Sequence, residues 1–224
     1  MLASPRAAYQ MAGLKFVVSR GGPQDLSAVE GLLQARADRV RVEAAKTYAC
    51  LLPSRSAAPL AAMALSDRAS VRLASAFAMG RLGNEDDIGI LRGLLGDSAV
   101  LVRCAAVEGL GRLSGARSVA DLCQMLADPS APVRRSAVVA YGMAGGSADP
   151  ARLIPLLSDE TWSVQREAAL TFARIAQPSQ VERVLETRLP PIKWGAAAFL
   201  DRALYLPQCL RQLFEQPTEK HWED

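Results

Sequence analysis

The chain has 224 residues, half of them hydrophobic and only 5% aromatic. Its excess of Ala, Leu and Val favours close-packed helices over a sandwich or barrel. The formal net charge is +3, with acidic residues interspersed among the arginines, which excludes a strongly basic strip for nucleic acid and leaves at most a mildly basic patch.

No apolar run reaches the roughly 18–20 residues of a membrane helix. Arg6 and Lys15 interrupt the N-terminal stretch where a signal peptide would be apolar. The four cysteines, Cys50, Cys104, Cys123 and Cys209, show no CxxC or Cys/His spacing. Free thiols in a reducing, cytoplasmic compartment are therefore expected.

Taken in order, the first predicted element is a helix over residues 9–19, ended by Gly21, Gly22 and Pro23. It has the phase of the second helix of a repeat that lacks its first, so residues 1–25 read as an N-terminal cap. From residue 26 the chain repeats. Val40, Val71, Val102, Val133 and Val164 stand 31 residues apart without insertion. Four residues on come Ala44, Ser75, Ala106, Ala137 and Ala168. Eight on come Tyr48, Met79, Leu110, Tyr141 and Phe172. Positions 0, 4 and 8 share one helical face, the buried stripe of a helix B. At position 9 stand Ala49, Gly80, Gly111, Gly142 and Ala173, small enough for a neighbouring backbone to approach closely.

Eleven residues before each Val lies Val29, Leu60, Leu91, Leu122 or Leu153, followed three and four residues later by further apolar pairs. This is a helix A. The turn between A and B carries Asp97, Asp128 or Asp159, expected as an N-cap. Gly83, Gly115, Gly145 and Gly146 punctuate the return from B to the next A. Asp149 and Pro150 read as a cap and a first-turn proline. Glu85, Asp86 and Asp87 read as carboxylates capping a helix start.

Five repeats thus fill residues 26–176, a degenerate repeat and cap are expected over 177–215, and a polar tail over 216–224. A two-helix unit cannot bury its apolar face alone, so the expectation is a single all-α domain: a right-handed α-solenoid.

The pattern Asp-x4-Val-Arg-x2-Ala-(Ala/Val)-x2-Leu-Gly at residues 97–111, echoed around Val71, Val133 and Val164, resembles short HEAT repeats, and within them the phycobilisome-lyase type. The resemblance covers about residues 26–200 and implies a stacked HEAT-like solenoid. It carries little about function, because such repeats serve scaffolds, adaptors and a few enzymes. The lyases attach a phycobilin to a cysteine of a phycobiliprotein, but none of their catalytic motifs is placed on this chain. The related di-iron hydroxylases need paired His and Glu on successive helices. Here the one histidine is His221, in the tail. In the related DNA glycosylases Trp and Asp act at the lesion, and no spacing links Trp162, Trp194 and Asp201 here.

Candidate sites follow from the columns. Arg41, Arg72, Arg103 and Arg134 follow the core Val, with Gln165 breaking the series. They are expected to pair with a turn Asp of their own or the adjacent repeat, Asp67, Asp97, Asp128 or Asp159, as a structural ladder. Positions 2, 6 and 10 after each Val form an outer stripe on helix B, the side that HEAT-type solenoids turn to their concave surface. There Leu73, Phe77, Val139, Met143 and Leu170 mix with Arg81, Glu108, Arg112, Arg135, Arg166 and Arg174. A solvated face would be nearly all polar. This mixture reads as an interaction face for an acidic and apolar peptide or helix. The competing reading packs position 6 between adjacent B helices as core. Cys50 and Cys104 also fall on the stripe. Trp194 is expected to plug the open end of the core. No catalytic, metal or cofactor constellation is found. The expected function is a non-enzymatic scaffold or adaptor; a phycobilin lyase or bilin-chaperone subunit, with a bilin cofactor, is the alternative, and nucleic-acid binding is disfavoured.

Overall fold

The computed structural model describes residues 2–51, 58–82, 85–144 and 149–176. The expected C-terminal repeat, the tail, Trp194, Cys209 and His221 lie outside the described residues, as do Gly83, Gly145 and Gly146. Ten α-helices are described: α1 Ala7–Arg20, α2 Leu26–Leu32, α3 Asp38–Leu51, α4 Ala58–Ala64, α5 Ala69–Leu82, α6 Ile88–Leu94, α7 Val100–Ser114, α8 Val119–Met125, α9 Ala131–Met143 and α10 Trp162–Ile175. There is no strand among the described residues.

Helices α3, α5, α7, α9 and α10 are the B helices and form one layer, each packed on the next, with α1 packed on the outer side of α3. The shorter A helices α2, α4, α6 and α8 form the second layer. Val40, Val102, Val133 and Val164 are fully buried and Val71 nearly so; Ala44, Ser75, Ala106, Ala137 and Ala168 are fully buried. Val29, Leu60, Leu91, Leu122 and Leu153 meet them from the A side, also fully buried. The 31-residue period thus becomes one continuous core running through the stack, and the fold is an all-α solenoid.

The fifth repeat departs from the expected α-helix A. Residues Pro150–Ser158 form a 3-10 helix, started by the Asp149 carboxylate accepting from the Ala151 N–H at 3.0 Å. Pro155 lies inside it. Proline has no N–H to give an i−4 carbonyl, and its ring would clash there. Three residues per turn instead line up Pro150, Leu153 and Leu156, all buried.

The turns carry the arginine ladder. Arg72 grips Asp97 of the next repeat with Nε–Oδ2 at 2.6 Å and Nη2–Oδ1 at 2.9 Å. Arg103 grips Asp128 at 2.9 and 2.9 Å, and Arg134 grips Asp159 at 2.7 and 2.9 Å. The third guanidinium nitrogen reaches back to carbonyls of its own turn: Ser66 for Arg72, Asp97 for Arg103 and Asp128 for Arg134, at 2.8–2.9 Å. Each ladder arginine therefore ties two consecutive turns. The aspartates are not helix N-caps. Each accepts from the N–H two residues on, Ala99, Ser130 or Thr161, at 2.7–2.8 Å, closing an Asx turn just before the helix. Arg72 holds Asp97 below the ordinary carboxylate range. At Asp128 and Asp159 burial pushes upward, but the paired arginine and the turn N–H outweigh it, and both are lowered.

The acidic cluster at residues 85–87 also differs from expectation. Asp87 occupies the N-cap of α6 but makes no side-chain cap bond, and its carboxylate is buried. Glu85 instead pairs with Arg117 of the following repeat, at 2.6 and 3.0 Å.

Candidate interaction face on the B helices

A helix in this stack has four sides. Positions 0, 4 and 8 face the A layer. Position 9 faces the next B helix, and a Cβ added there shows how closely. On Gly80 it would lie 2.6 Å from the Gly109 Cα, and on Gly111 it would lie 2.6 Å from the Ala140 Cβ. On Gly142 it would lie 2.4 Å from the Thr171 Cγ2. Position 9 of one repeat therefore packs on position 7 of the next. The position-7 column, Thr47, Ala78, Gly109, Ala140 and Thr171, is buried throughout. Sequence reading noted position 9 and overlooked position 7, although its uniformly small residues were the signal. Position 5 completes this seam, with Ala45, Ala76, Val107, Val138 and Ala169 all buried.

With the seams filled by small residues, positions 2, 6 and 10 are left outside. Arg81, Glu108, Arg112, Arg135, Met143 and Arg174 are exposed; Leu73, Phe77, Val139, Arg166 and Leu170 are half-buried. None is core. The stripe lies along α5, α7, α9 and α10, and α3 adds exposed Lys46 and Cys50.

The face is internally organised. The Arg81 guanidinium lies over the Phe77 ring, 5.9 Å from its centroid, and Arg166 lies over Trp162 at the same distance. Both pairs are four residues apart on one helix, a spacing visible in sequence but not used. Trp162 begins α10 and is half exposed. Arg112 and Glu108 stand 4.0 Å apart, each side chain 45% exposed, an arrangement worth little in water. Arg135 is 3.8 Å from Glu167 of the next repeat. The contact at Gly142 includes the Arg174 Nη2, so Arg174 reaches back across the preceding helix. Cys104 is half-buried, and burial pushes its thiol above the ordinary range. Cys123 is partly buried against the core.

Among the described residues, no group of three or more His, Cys, Asp or Glu comes together to hold a metal ion. No described helix is long and apolar enough to cross a membrane.

Comparison with known proteins agrees with this geometry. A family model described as HEAT repeats matches residues 56–142. The X-ray structure of the YibA protein of Escherichia coli superposes with a TM-score of 0.64 at 15% identity, covering 94% of this chain and 87% of that one. Crystal structures of two engineered proteins each give a TM-score of 0.54. One is 18% identical, covering 84% of this chain and 97% of its own, and the other 20% identical, covering 85% and 95%. At these identities the likeness concerns the fold alone. No curated protein sequence matches the chain. Residues 56–142 therefore match HEAT repeats, and the stacked two-helix units share the fold of the solved solenoids.

Proposed function

We propose that the chain is a non-enzymatic scaffold or adaptor that holds an acidic, partly apolar segment of a protein partner against its B-helix face. The observation that carries this reading is that the stripe stays outside the core. Leu73, Phe77, Val139 and Leu170 are half-buried among arginines, and the small residues of positions 5, 7 and 9 already close the seams. Arg and aromatic or flexible apolar side chains are what interface centres use. Positions 2, 6 and 10 carry six cations, Lys46, Arg81, Arg112, Arg135, Arg166 and Arg174, and one carboxylate, Glu108, with Glu43 and Glu167 of position 3 beside Lys46 and Arg135. That excess favours an acidic partner and speeds its encounter.

The test is selection from a random peptide display library, with the unaltered protein and with the triple variant Phe77→Ala, Arg112→Glu, Met143→Ala as baits. The protein should enrich acidic sequences with an apolar residue, and the variant should lose that enrichment at unchanged Tm. Retained enrichment in the variant would overturn the reading.

The bilin-lyase alternative rests on the repeat resemblance alone. Of the two thiols on the face, Cys104 is disfavoured as a thiolate by its burial. Formation of a covalent adduct between bilin and an apo-phycobiliprotein in the presence of this chain would restore it.

A further inference from the structure

We infer that α1, on the outer side of α3, is an interfacial helix that lays its free side on an anionic lipid bilayer. This surface is separate from the B-helix stripe and does not depend on how that stripe is read. Seven large hydrophobic side chains are exposed among the described residues, and α1 alone carries three of them, Tyr9, Phe16 and Val18. The opposite side of the helix is anchored. Leu14 and Val17 are buried, and α1 packs on α3. A helix that ends a solenoid is covered on one side only, and its outer side is ordinarily polar. That of α1 is not.

The free side has an order of its own. At 3.6 residues per turn, Ala8, Ala12, Phe16 and Tyr9 share an arc of about 100°, opposite Leu14 and Val17. All four are exposed, and Ser19 is the one polar residue among them. Lys15 and Arg20 fall about 20° beyond the two edges of that arc. Both are exposed. The helix thus presents an apolar ridge, aromatic along its middle, with a cation on either flank.

Charge points the same way. Residues 1–24 contain Arg6, Lys15 and Arg20 and no Asp or Glu. Lys15 and Arg20 pair with no carboxylate among the described residues. The first acid of the chain, Asp25, already accepts from the Gly22 N–H at 3.1 Å. A second copy of α1 laid on this ridge would bring cations to cations with no carboxylate between them. A bilayer with anionic headgroups answers both features at once. Phe16 and the Tyr9 ring enter the boundary of the acyl region, while the long stems of Lys15 and Arg20 let their charges stay at the phosphates. The 14 residues of α1 extend about 21 Å, short of the ~30 Å hydrocarbon core, so the helix lies on the membrane and does not span it.

The experiment is co-sedimentation of the full chain with vesicles of phosphatidylcholine, alone or with roughly a third phosphatidylserine. Partitioning should be about tenfold stronger onto the anionic vesicles and should weaken as salt rises toward ~0.5 M. Phe16→Ser should lower it about tenfold at unchanged Tm. Lys15→Glu with Arg20→Glu should abolish the preference for anionic vesicles. Phe16→Trp should bind as the unaltered chain does, and brominated lipid should quench its added emission. No binding to anionic vesicles, equal binding to both kinds, binding indifferent to Phe16 and to the two cations, or an unquenched Trp overturns the inference. A dimer in sedimentation velocity that Phe16→Ser dissolves, without vesicle binding, would also overturn it and assign the ridge to a second copy.

Discussion

The turns joining helix A to helix B are tied together differently along the stack. From the second repeat onward each arginine reaches a carboxylate of the next turn: Arg72 to Asp97, Arg103 to Asp128, Arg134 to Asp159. In the first repeat Arg41 turns back on its own Asp38, and Arg68 of the next turn comes to the same carboxylate at 3.2 Å. The cause is a single position. The residue 25 places after each ladder arginine is the acceptor, and 25 after Arg41 stands Ser66 rather than Asp. Asp67 is one residue too late, and its carbonyl accepts from Arg72 instead. At the far end Gln165 keeps the backward bond, to the Asp159 carbonyl, but has no fork to send forward. A repeat motif can therefore be present by composition while the coupling it provides is missing.

The widest gap between the two arrangements should appear on deleting an arginine. The Arg134 and Asp159 side chains are 9% and 6% exposed, whereas those of Arg41 and Asp38 are 22% and 29% exposed. Arg134→Ala strands a buried carboxylate and two turn carbonyls, and should cost about 3 kcal/mol in urea unfolding. Arg41→Ala removes a local, wetter pair and should cost about 1 kcal/mol or less. Equal losses would mean that bridging two turns adds nothing to stability.

Acid should sharpen the same contrast. The folded state holds Asp97, Asp128 and Asp159 below the ordinary value of about 3.9. A lowered folded pKa contributes stability that is fully present above the unfolded value and is lost as pH falls through the folded one. The urea midpoint should stay level from pH 7 to about 5 and fall below about 4. Asp97→Asn, Asp128→Asn and Asp159→Asn together should flatten that fall from a lower starting stability. Asp87 acts with opposite sign. Burial, then the neighbouring Asp86, pushes its carboxyl up, so its protonation favours the folded chain as pH drops. Asp87→Asn should steepen the acid limb, and an unchanged limb would remove Asp87 from the account.

Much of this was legible in the 31-residue period. A column that recurs as Val40, Val71, Val102, Val133 and Val164 has one structural meaning, and all five are buried. What sequence left open was geometry among alternatives of equal composition. An Asp before a helix suits an N-cap and an Asx turn alike, and only the Ser130 and Thr161 N–H bonds separate them. A turn arginine suits its own or the adjacent Asp, and both occur. Position 6 suits core or face alike in sequence, and in the fold Phe77, Val139 and Leu170 are half-buried while Glu108 is exposed. The 3-10 helix at residues 150–158 was readable from Pro155, but the apolar spacing dominated the reading. Whether a partner occupies the stripe is a property of a second molecule, which a repeat pattern does not contain.

The finest adjustment is to supply the missing rung. Ser66 already sits as the ladder aspartates do. Its Oγ accepts from the Arg68 N–H at 3.3 Å, as the Asp97 carboxylate does from Ala99 at 2.8 Å. Its carbonyl accepts from Arg72 at 2.8 Å, as that of Asp97 does from Arg103 at 2.9 Å. Arg41 keeps its backward bond to Ala35 at 3.1 Å, while its Nε is buried without a hydrogen-bond partner. In the formed rungs that nitrogen donates to the forward carboxylate. Ser66→Asp should therefore give the orphaned Nε an acceptor and leave Asp38 to Arg68, raising stability by about 1 kcal/mol. The gain should vanish in the Arg41→Gln background and should fade as pH falls below about 4, from the ordinary carboxylate value toward the lowered one that pairing imposes. A gain that survives Arg41→Gln would assign it to the turn alone, and the register of the first repeat would no longer explain why its rung is absent.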